Sequence, residues 1–215
     1  MLDYIRKLQR GDIFPAIDYE LVDLRSRLHG KVLNAGAGWR DLSHLVDGEL
    51  INQDITWEGD ERTHIDLIAP LHAIPVPDGS FDAIICLAVL EHVQNPVECV
   101  AEMVRVLKPG GTIVASVPFM QPEHKVPTDY QRYTKDGLAE LFGSEQLSIV
   151  ENRAFFTVYH TMHWIASEWL KMKNNLTYKI LRRIILIPLA HMAHKSDLQS
   201  DLIASAFRIV AVKRA

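Results

Sequence analysis

From Lys31 onward, short apolar runs alternate with segments of helical period, and that alternation predicts an α/β chain. The runs KVLNAG, ELINQDI, THIDL, FDAIICLAVL and GTIVASVPF read as strands of a mostly parallel sheet covered on both faces. Between the last two, NPVECVAEMVRVLKPGG sets Val97, Val100, Ala101, Val104 and Leu107 on one helical face. An asparagine caps that segment, a proline sits in its first turn and Pro-Gly-Gly ends it. Upstream, YELVDLRSRLHG spaces Leu21, Leu24 and Leu28 as a helix would before Gly30, which predicts a helical lead-in over residues 1–30. Past Phe119, the polar loop MQPEHKVPTDYQRYT leads to a predicted helix in TKDGLAELF and a strand in LSIVENRAFF. Residues 157–200, rich in Trp, Met, His and basic side chains and without strand alternation, read as a helical insertion ahead of a closing strand at 203–213. Residues 31–156 form the core that these segments flank.

Composition narrows the picture. At 215 residues, 48% hydrophobic and 23% charged, the chain fits one domain with one core. A net charge of -4 gives no global reason to bind nucleic acid or an anionic membrane, so a polyanionic partner needs a local basic patch. Cys86 and Cys99 are spaced unlike a metal pair and read as reduced thiols. The opening MLDYIRKLQRGDIF carries charge throughout, and no stretch approaches eighteen uncharged apolar residues, so a soluble, cytoplasmic protein is expected.

The chemistry begins at the first strand's turn, VLNAGAGWRDL. Gly36 and Gly38 let backbone come close to a ligand, and amides leading into a following helix offer donors, although a plain tight turn has the same composition. Asp54 lies sixteen residues beyond Gly38, a spacing suited to a carboxylate that accepts both ribose hydroxyls; a cap or turn aspartate is the other reading. A nicotinamide-dinucleotide site starts the same way. Its third glycine falls at position 41, where Asp41 would set a carboxylate against a pyrophosphate.

The ordered set VLNAGAG, INQDI, DGSFDAIICLAVLEHV and RVLKPGG, from about Lys31 to Pro118, resembles the class I S-adenosylmethionine-dependent methyltransferases, in particular the type 11 group related to ubiquinone and menaquinone methyltransferases. The resemblance implies a single Rossmann-like domain, a seven-stranded, mostly parallel sheet with an antiparallel last strand, and S-adenosyl-L-methionine as cofactor. It implies that Asn34, Ala35, Gly36 and Gly38 pass the donor's methionine part, that Asp54 holds the ribose, and that Ile55 packs on the adenine. Asp66 and Leu67 would lie at the adenine edge, and Cys86 and Leu87 would present backbone carbonyls near the donor's charged end. Many members carry a carboxylate where this chain has Asn34. Asparagine supplies no charge, so either the donor is held less tightly or another carboxylate compensates.

Methyl transfer from a sulfonium is an in-line displacement, and a hydroxyl acceptor must also lose a proton. The resemblance brings the pair Glu91-His92, for which architecture and catalysis both stay open. The loop gathers His124, Asp129, Tyr130, Arg132 and Tyr133, and resembles an H-x-x-P-x-D-Y-x-R-Y-T signature of methyltransferases in surface-polysaccharide and sugar pathways. That implies O-methylation of a small or sugar-like acceptor, with His124 and His92 as candidate bases and Glu91, Asp129, Tyr130 and Arg132 toward the acceptor. Asp129 and Arg132 equally fit a local ion pair that fixes the loop, with Thr134 capping the next helix. A noncatalytic donor- or nucleoside-binding partner subunit is the alternative that Asn34 suggests, and a nicotinamide oxidoreductase is a third reading.

In the insertion, His160 and His163 have metal-pair spacing but no third ligand, so no metal is expected there. Residues 178–195 mix Lys179, Arg182, Arg183, His191, His194 and Lys195 with an apolar run that Pro188 interrupts. Three uses remain open for that segment: covering the core, forming a homodimer or lid surface, and contacting a membrane surface.

Overall fold

The computed structural model describes residues 13–14, 17–56, 61–125 and 128–215; residues 1–12 of the predicted lead-in and Pro127 of the loop signature lie outside them. The strands are β1 (His29–Ala35), β2 (Asp47–Asp54), β3 (Leu67–Ile68), β4 (Phe81–Leu87), β5 (Leu107–Pro118), β6 (Leu147–Phe155) and β7 (Ala206–Lys213). They form one seven-stranded sheet in the order β3-β2-β1-β4-β5-β7-β6. Neighbours from β3 to β5 run parallel, and β7 runs antiparallel between β5 and β6. Two details differ from the sequence reading. THIDL contributes only Leu67 to a ladder, and the closing strand begins at Ala206 rather than 203.

One face of the sheet packs against α1 (Pro96–Val106) and α2 (Lys135–Leu141). Asn95 accepts from Glu98 N (3.4 Å) to start α1, and Thr134 Oγ1 accepts from Gly137 N (3.1 Å) to start α2. The buried stripe of α1 is Cys99, Val100, Met103 and Val104, while Val97 stays 65% exposed. The buried stripe is therefore rotated by about a residue from the predicted one: Val100 and Val104 are buried as expected, whereas Ala101 is exposed and Cys99 and Met103 face the sheet.

Among the described residues, the opposite face carries no crossover α-helix. Leu21, Leu24, Leu28, Leu42 and Leu45 cover it instead, packed on Val32, Ala83, Ile85, Leu87, Val114 and Val210. Among the described residues, the lead-in consists of two 3-10 turns, Ile17–Glu20 and Val22–Arg27, rather than an α-helix, and Gly30 lies inside β1. The second turn has no side-chain cap at its start, so the leucines' burial on the sheet dictates the backbone path. Between β1 and β2 there is only a 3-10 turn, Ser43–Leu45, with Asp41 Oδ1 accepting from Ser43 N (3.0 Å) and Oγ (2.6 Å). A helical crossover needs roughly a dozen residues or more, and residues 36–46 fall short of that. The helix expected after the glycine turn is therefore absent.

Between β6 and β7 stand α3 (Val158–Lys171) and α4 (Leu176–Lys195), a helical pair with Pro188 inside α4. Their inner side holds Ala190 and Ala193 on Ile13, and Phe14 packs edge-on against Phe156 and Trp164. No helix among the described residues is long and apolar enough to cross a membrane.

His160 in α3 is buried beside Phe14 and Phe156 and accepts from Thr157 N (3.2 Å). Burial holds its pKa down at about 4; charge repulsion from His194 and His163 adds to this, while backbone contacts of Ile13 and Thr157 oppose it. The unfolded chain binds that proton more readily, so stability is complete above about pH 6.5 and falls as pH drops toward 4. Between pH 7.5 and pH 5, thermal unfolding of His160→Gln should show a loss smaller than the wild type's by roughly 2 kcal/mol. Equal losses would mean that His160 binds its proton as readily in the folded state as in the unfolded chain.

Candidate active site

The carboxyl ends of β1, β2, β4 and β5 meet at one edge, and the strand order reverses between β1 and β4, where open α/β sheets hold ligands. The glycine turn leaves β1 there. Gly36 has φ +69°, and a Cβ on it would lie 2.4 Å from Val89 Cγ2, so this glycine lets the β1 and β4 loops close on each other. Gly38 has φ +59°, and a Cβ there would meet nothing within 4 Å; its outer side is open. The amides are not free donors. Gly36 N and Ala37 N both donate to Gln53 O (2.9 Å each), and Gly38 N donates to Asp54 Oδ2 (2.8 Å). With no helix to enter, the turn prolongs the β1–β2 ladder, which corrects the expectation of amides aimed at a ligand.

Asp54 stands at the end of β2, as a ribose-binding carboxylate must, but it already has partners. Arg62, a buried arginine that sequence reasoning missed, donates to Asp54 Oδ2 (2.5 Å) and to Ile55 O (2.6 Å), and Ile55 N donates to Asp54 Oδ1 (2.7 Å). A carboxylate oxygen accepts about two hydrogen bonds, so Oδ2 is filled by Gly38 and Arg62 while Oδ1 keeps one direction open. Ile55 is 48% exposed beside it. Exposed Asp66 spends Oδ2 on Asn52 N (2.8 Å), extending the β2–β3 pairing, with Leu67 next in line on β3. Asn34 is buried and donates Nδ2 to Asn52 Oδ1 (2.9 Å), a neutral pair across β1 and β2.

At the end of β4, Cys86 is buried with its backbone in the β5 ladder, and burial pushes its thiol well above the ordinary range. The carbonyl of Leu87 accepts from Arg40, a second arginine that the sequence did not flag. Ala88 follows with φ +53°, an uncommon conformation for a residue with a Cβ, which turns the chain so that Val89 faces Gly36. Beneath this edge lies Glu20, from the lead-in, buried and with Oε2 unpartnered. Burial raises its pKa; Ser116 at the end of β5, Arg40 and Arg208 pull the other way. No local pattern marked Glu20, because its neighbours read only as a covering segment.

The second half of the site lies beyond β4 and β5. Glu91 is fully buried with both carboxylate oxygens lacking hydrogen bonds, and its Oε1 faces His92 Nε2 at 3.6 Å and His124 Nε2 at 3.5 Å. His92 Nδ1 contacts Thr128 O (2.5 Å), so that nitrogen carries the hydrogen and Nε2 turns toward Glu91. The two rings meet edge to face, 5.1 Å apart. Contact with Glu91 raises the pKa of His124, against the effect of its partial burial. Asp129 binds Arg132 through both oxygens and accepts from His124 N (2.8 Å); Arg132 holds its carboxyl down at about 2. The pair thus fixes the loop that carries His124. Tyr130 is half exposed, donates its N–H to Glu91 O (2.8 Å) and receives Gln94 Nε2 at its hydroxyl (3.0 Å). Tyr133 OH is buried and unpartnered.

The sequence brought forward one metal-pair spacing, His160 and His163, and both of those rings lie in the buried side of α3. Among the described residues, those whose ligand atoms do lie within 4.8 Å of one another are Glu91, His92 and His124, a set spread over too much chain for spacing to reveal.

Residues 44–115 match the family model of a methyltransferase domain. A demethylmenaquinone methyltransferase of Renibacterium salmoninarum is 42% identical over 73 residues, covering 32% of this chain and 31% of that protein. A ubiquinone biosynthesis O-methyltransferase of Dechloromonas aromatica is 29% identical over 136 residues, covering 52% of this chain and 54% of that protein. The chain therefore spans about a third to a half of the length of these curated relatives. In fold it is similar to a SAM-dependent methyltransferase of Archaeoglobus fulgidus, with a TM-score of 0.56 at 16% identity over 92% of this chain and 93% of that one.

Proposed function

We propose that this chain, which carries a class I S-adenosylmethionine-dependent methyltransferase domain, transfers a methyl group from S-adenosyl-L-methionine to an oxygen of a small or sugar-like acceptor. The donor lies along Asn34, Ala35, Gly36 and Gly38, with its ribose at Asp54, its adenine beside Ile55, Asp66 and Leu67, and its charged end near Cys86 and Leu87. The open outer side of Gly38 and the free direction of Asp54 Oδ1 support this. Arg62 must yield at Asp54 Oδ2, and Arg40 at the Leu87 carbonyl, for the donor to use both groups. Glu20 is the carboxylate that offsets the missing charge at Asn34, since it interacts with Ser116 at the end of β5 and with Arg40 and keeps Oε2 unpartnered.

The observation that carries the catalytic half is His124 Nε2 standing 3.5 Å from the buried Glu91 carboxylate at the end of β4. His124 receives the acceptor's proton as the oxygen attacks. Glu91 stabilises the resulting imidazolium, and Asp129 with Arg132 keeps the ring in place. His92 is a positioning residue, since its other nitrogen is committed to Thr128 O. Tyr130 borders the acceptor from the loop.

The test is release of S-adenosylhomocysteine with a panel of hydroxylated acceptors. His124→Ala should retain product-cofactor affinity and lose turnover by about 10²–10⁴-fold. Full turnover in that variant would remove the base. A second reading, a donor-binding subunit without catalysis, draws on the engagement of Asp54 and Leu87 by arginines. It requires cofactor binding with no product from any acceptor.

A further inference from the structure

The α3–α4 pair turns two apolar stripes outward. Along α3 and its C-terminal cap, Met162, Ile165, Trp169 and Met172 follow one another at helical spacing, each 44–78% exposed. On α4, Leu176, Ile180 and Ile184 repeat every fourth residue at 48–72% exposure. An apolar groove of about 380 Å³ lies between the helices, lined by Met162, Ile165, Trp169, Ile185 and Leu189. A soluble surface rarely leaves so much contiguous apolar area uncovered unless something docks there.

Charge selects the occupant. Residues 158–195 hold six Lys and Arg (171, 173, 179, 182, 183 and 195) against one acid, Glu168, a net +5, whereas the whole chain is -4. Glu168 is paired with Lys171 (2.5 Å). Arg182 donates to Leu170 O and to Lys173 O (2.9 Å), which closes the turn between the helices. Lys173, Lys179 and Arg183 are exposed around the tip, where Met172 and Leu176 protrude most. An apolar tip ringed by cations, with a half-exposed tryptophan on its flank, has the anatomy of an interfacial membrane contact. A second copy of this chain would bring the same positive collar against itself.

We propose that the α3–α4 tip inserts into the headgroup region of an anionic phospholipid bilayer, with Met172, Leu176 and Trp169 as the apolar anchors and Lys173, Lys179 and Arg183 on the lipid phosphates. The inner side of α3 bears Trp164, whose ring lies 6.1 Å from that of His124. The helix pair that binds the membrane therefore also touches the His124 loop, and the acceptor is an amphiphile resident at that surface. This last step rests on the methyl-transfer reading; the membrane contact does not.

Co-sedimentation of the full chain with vesicles of phosphatidylglycerol and phosphatidylcholine, compared with pure phosphatidylcholine, tests the contact without donor or acceptor. The mixed vesicles should bind at least tenfold more protein, with a blue shift in tryptophan emission that Trp169→Phe diminishes and a steep loss of binding at high salt. Met172→Asp/Leu176→Asp and, separately, Lys173→Glu/Lys179→Glu should each lower binding at least tenfold while leaving S-adenosylhomocysteine affinity and the melting temperature unchanged. Equal binding to both vesicle types, no binding, or a salt-resistant dimer that buries the tip would overturn the proposal. Vesicle binding with no turnover on any acceptor would overturn the methyl-transfer reading alone.

Discussion

Replacing Arg208 by methionine is expected to lower the free energy of unfolding by about 2–4 kcal/mol. Arg208 is fully buried in β7. It donates to both oxygens of Asp23 (2.7 Å each), to Glu20 O (2.6 Å) and to Glu151 Oε1 (2.8 Å). Those bonds tie the two 3-10 turns of the lead-in to a strand far away in sequence, on the face that lacks crossover helices. Methionine keeps the side-chain volume and loses every donor. Asp23 is half exposed and regains water in the variant, which keeps the loss below that of a wholly buried pair, whereas the Glu20 carbonyl stays buried and unsatisfied. Lysine should recover only part, since a point charge cannot span Asp23, Glu151 and a carbonyl at once. Urea unfolding measures the change. A shift under about 0.5 kcal/mol would mean the leucines alone hold the lead-in on the sheet.

The second large effect is expected at Gly36. Its φ of +69° disfavours any residue with a Cβ, and that atom would lie 2.4 Å from Val89 Cγ2. Gly36→Val should therefore cost about 1–2 kcal/mol in backbone strain and a further 1–3 kcal/mol from overpacking. It should also weaken product-cofactor binding by driving the β1 and β4 loops apart. The pair Gly36→Ala and Gly36→Ala/Val89→Ala separates the two causes. Removing the valine branches relieves the clash and leaves the strain, so the double variant should recover part of the stability that Gly36→Ala loses. No recovery would show that Val89 is not what demands a glycine at this position.

The contrast between these two residues explains how much the sequence disclosed. Strands β1, β2, β4 and β5, and the turn at Gly36 and Gly38, were legible because a parallel sheet buried on both faces writes continuous apolar runs, with glycines where φ turns positive. The lead-in was misread because leucines spaced three and four apart suit an α-helix and successive 3-10 turns alike, and only contact with the sheet decides between them. The helix expected after the glycine turn failed for a countable reason, the shortness of residues 36–46. Arg40, Arg62 and Glu20 left no local signal. Arg40 and Glu20 reach the site's edge across long sequence intervals, and Arg62 folds back from a loop eight residues past Asp54, so only the fold reveals that Asp54 and the Leu87 carbonyl have partners within the chain. On the acceptor side, the clustering of His124, Asp129 and Arg132 in one loop was visible. The approach of that loop to Glu91 and His92 depends on the sharp turn at Ala88, which spacing does not encode.

The central claim is that the β1–β2–β4 edge holds S-adenosylmethionine rather than a nicotinamide dinucleotide. Calorimetric titration with S-adenosylhomocysteine and with NAD tests it most directly, on the wild type and on Asp54→Ala. The account predicts saturable binding of S-adenosylhomocysteine to the wild type, weakened at least tenfold in Asp54→Ala, and no binding of NAD. Binding of NAD, or affinity for S-adenosylhomocysteine that Asp54→Ala leaves intact, would contradict it.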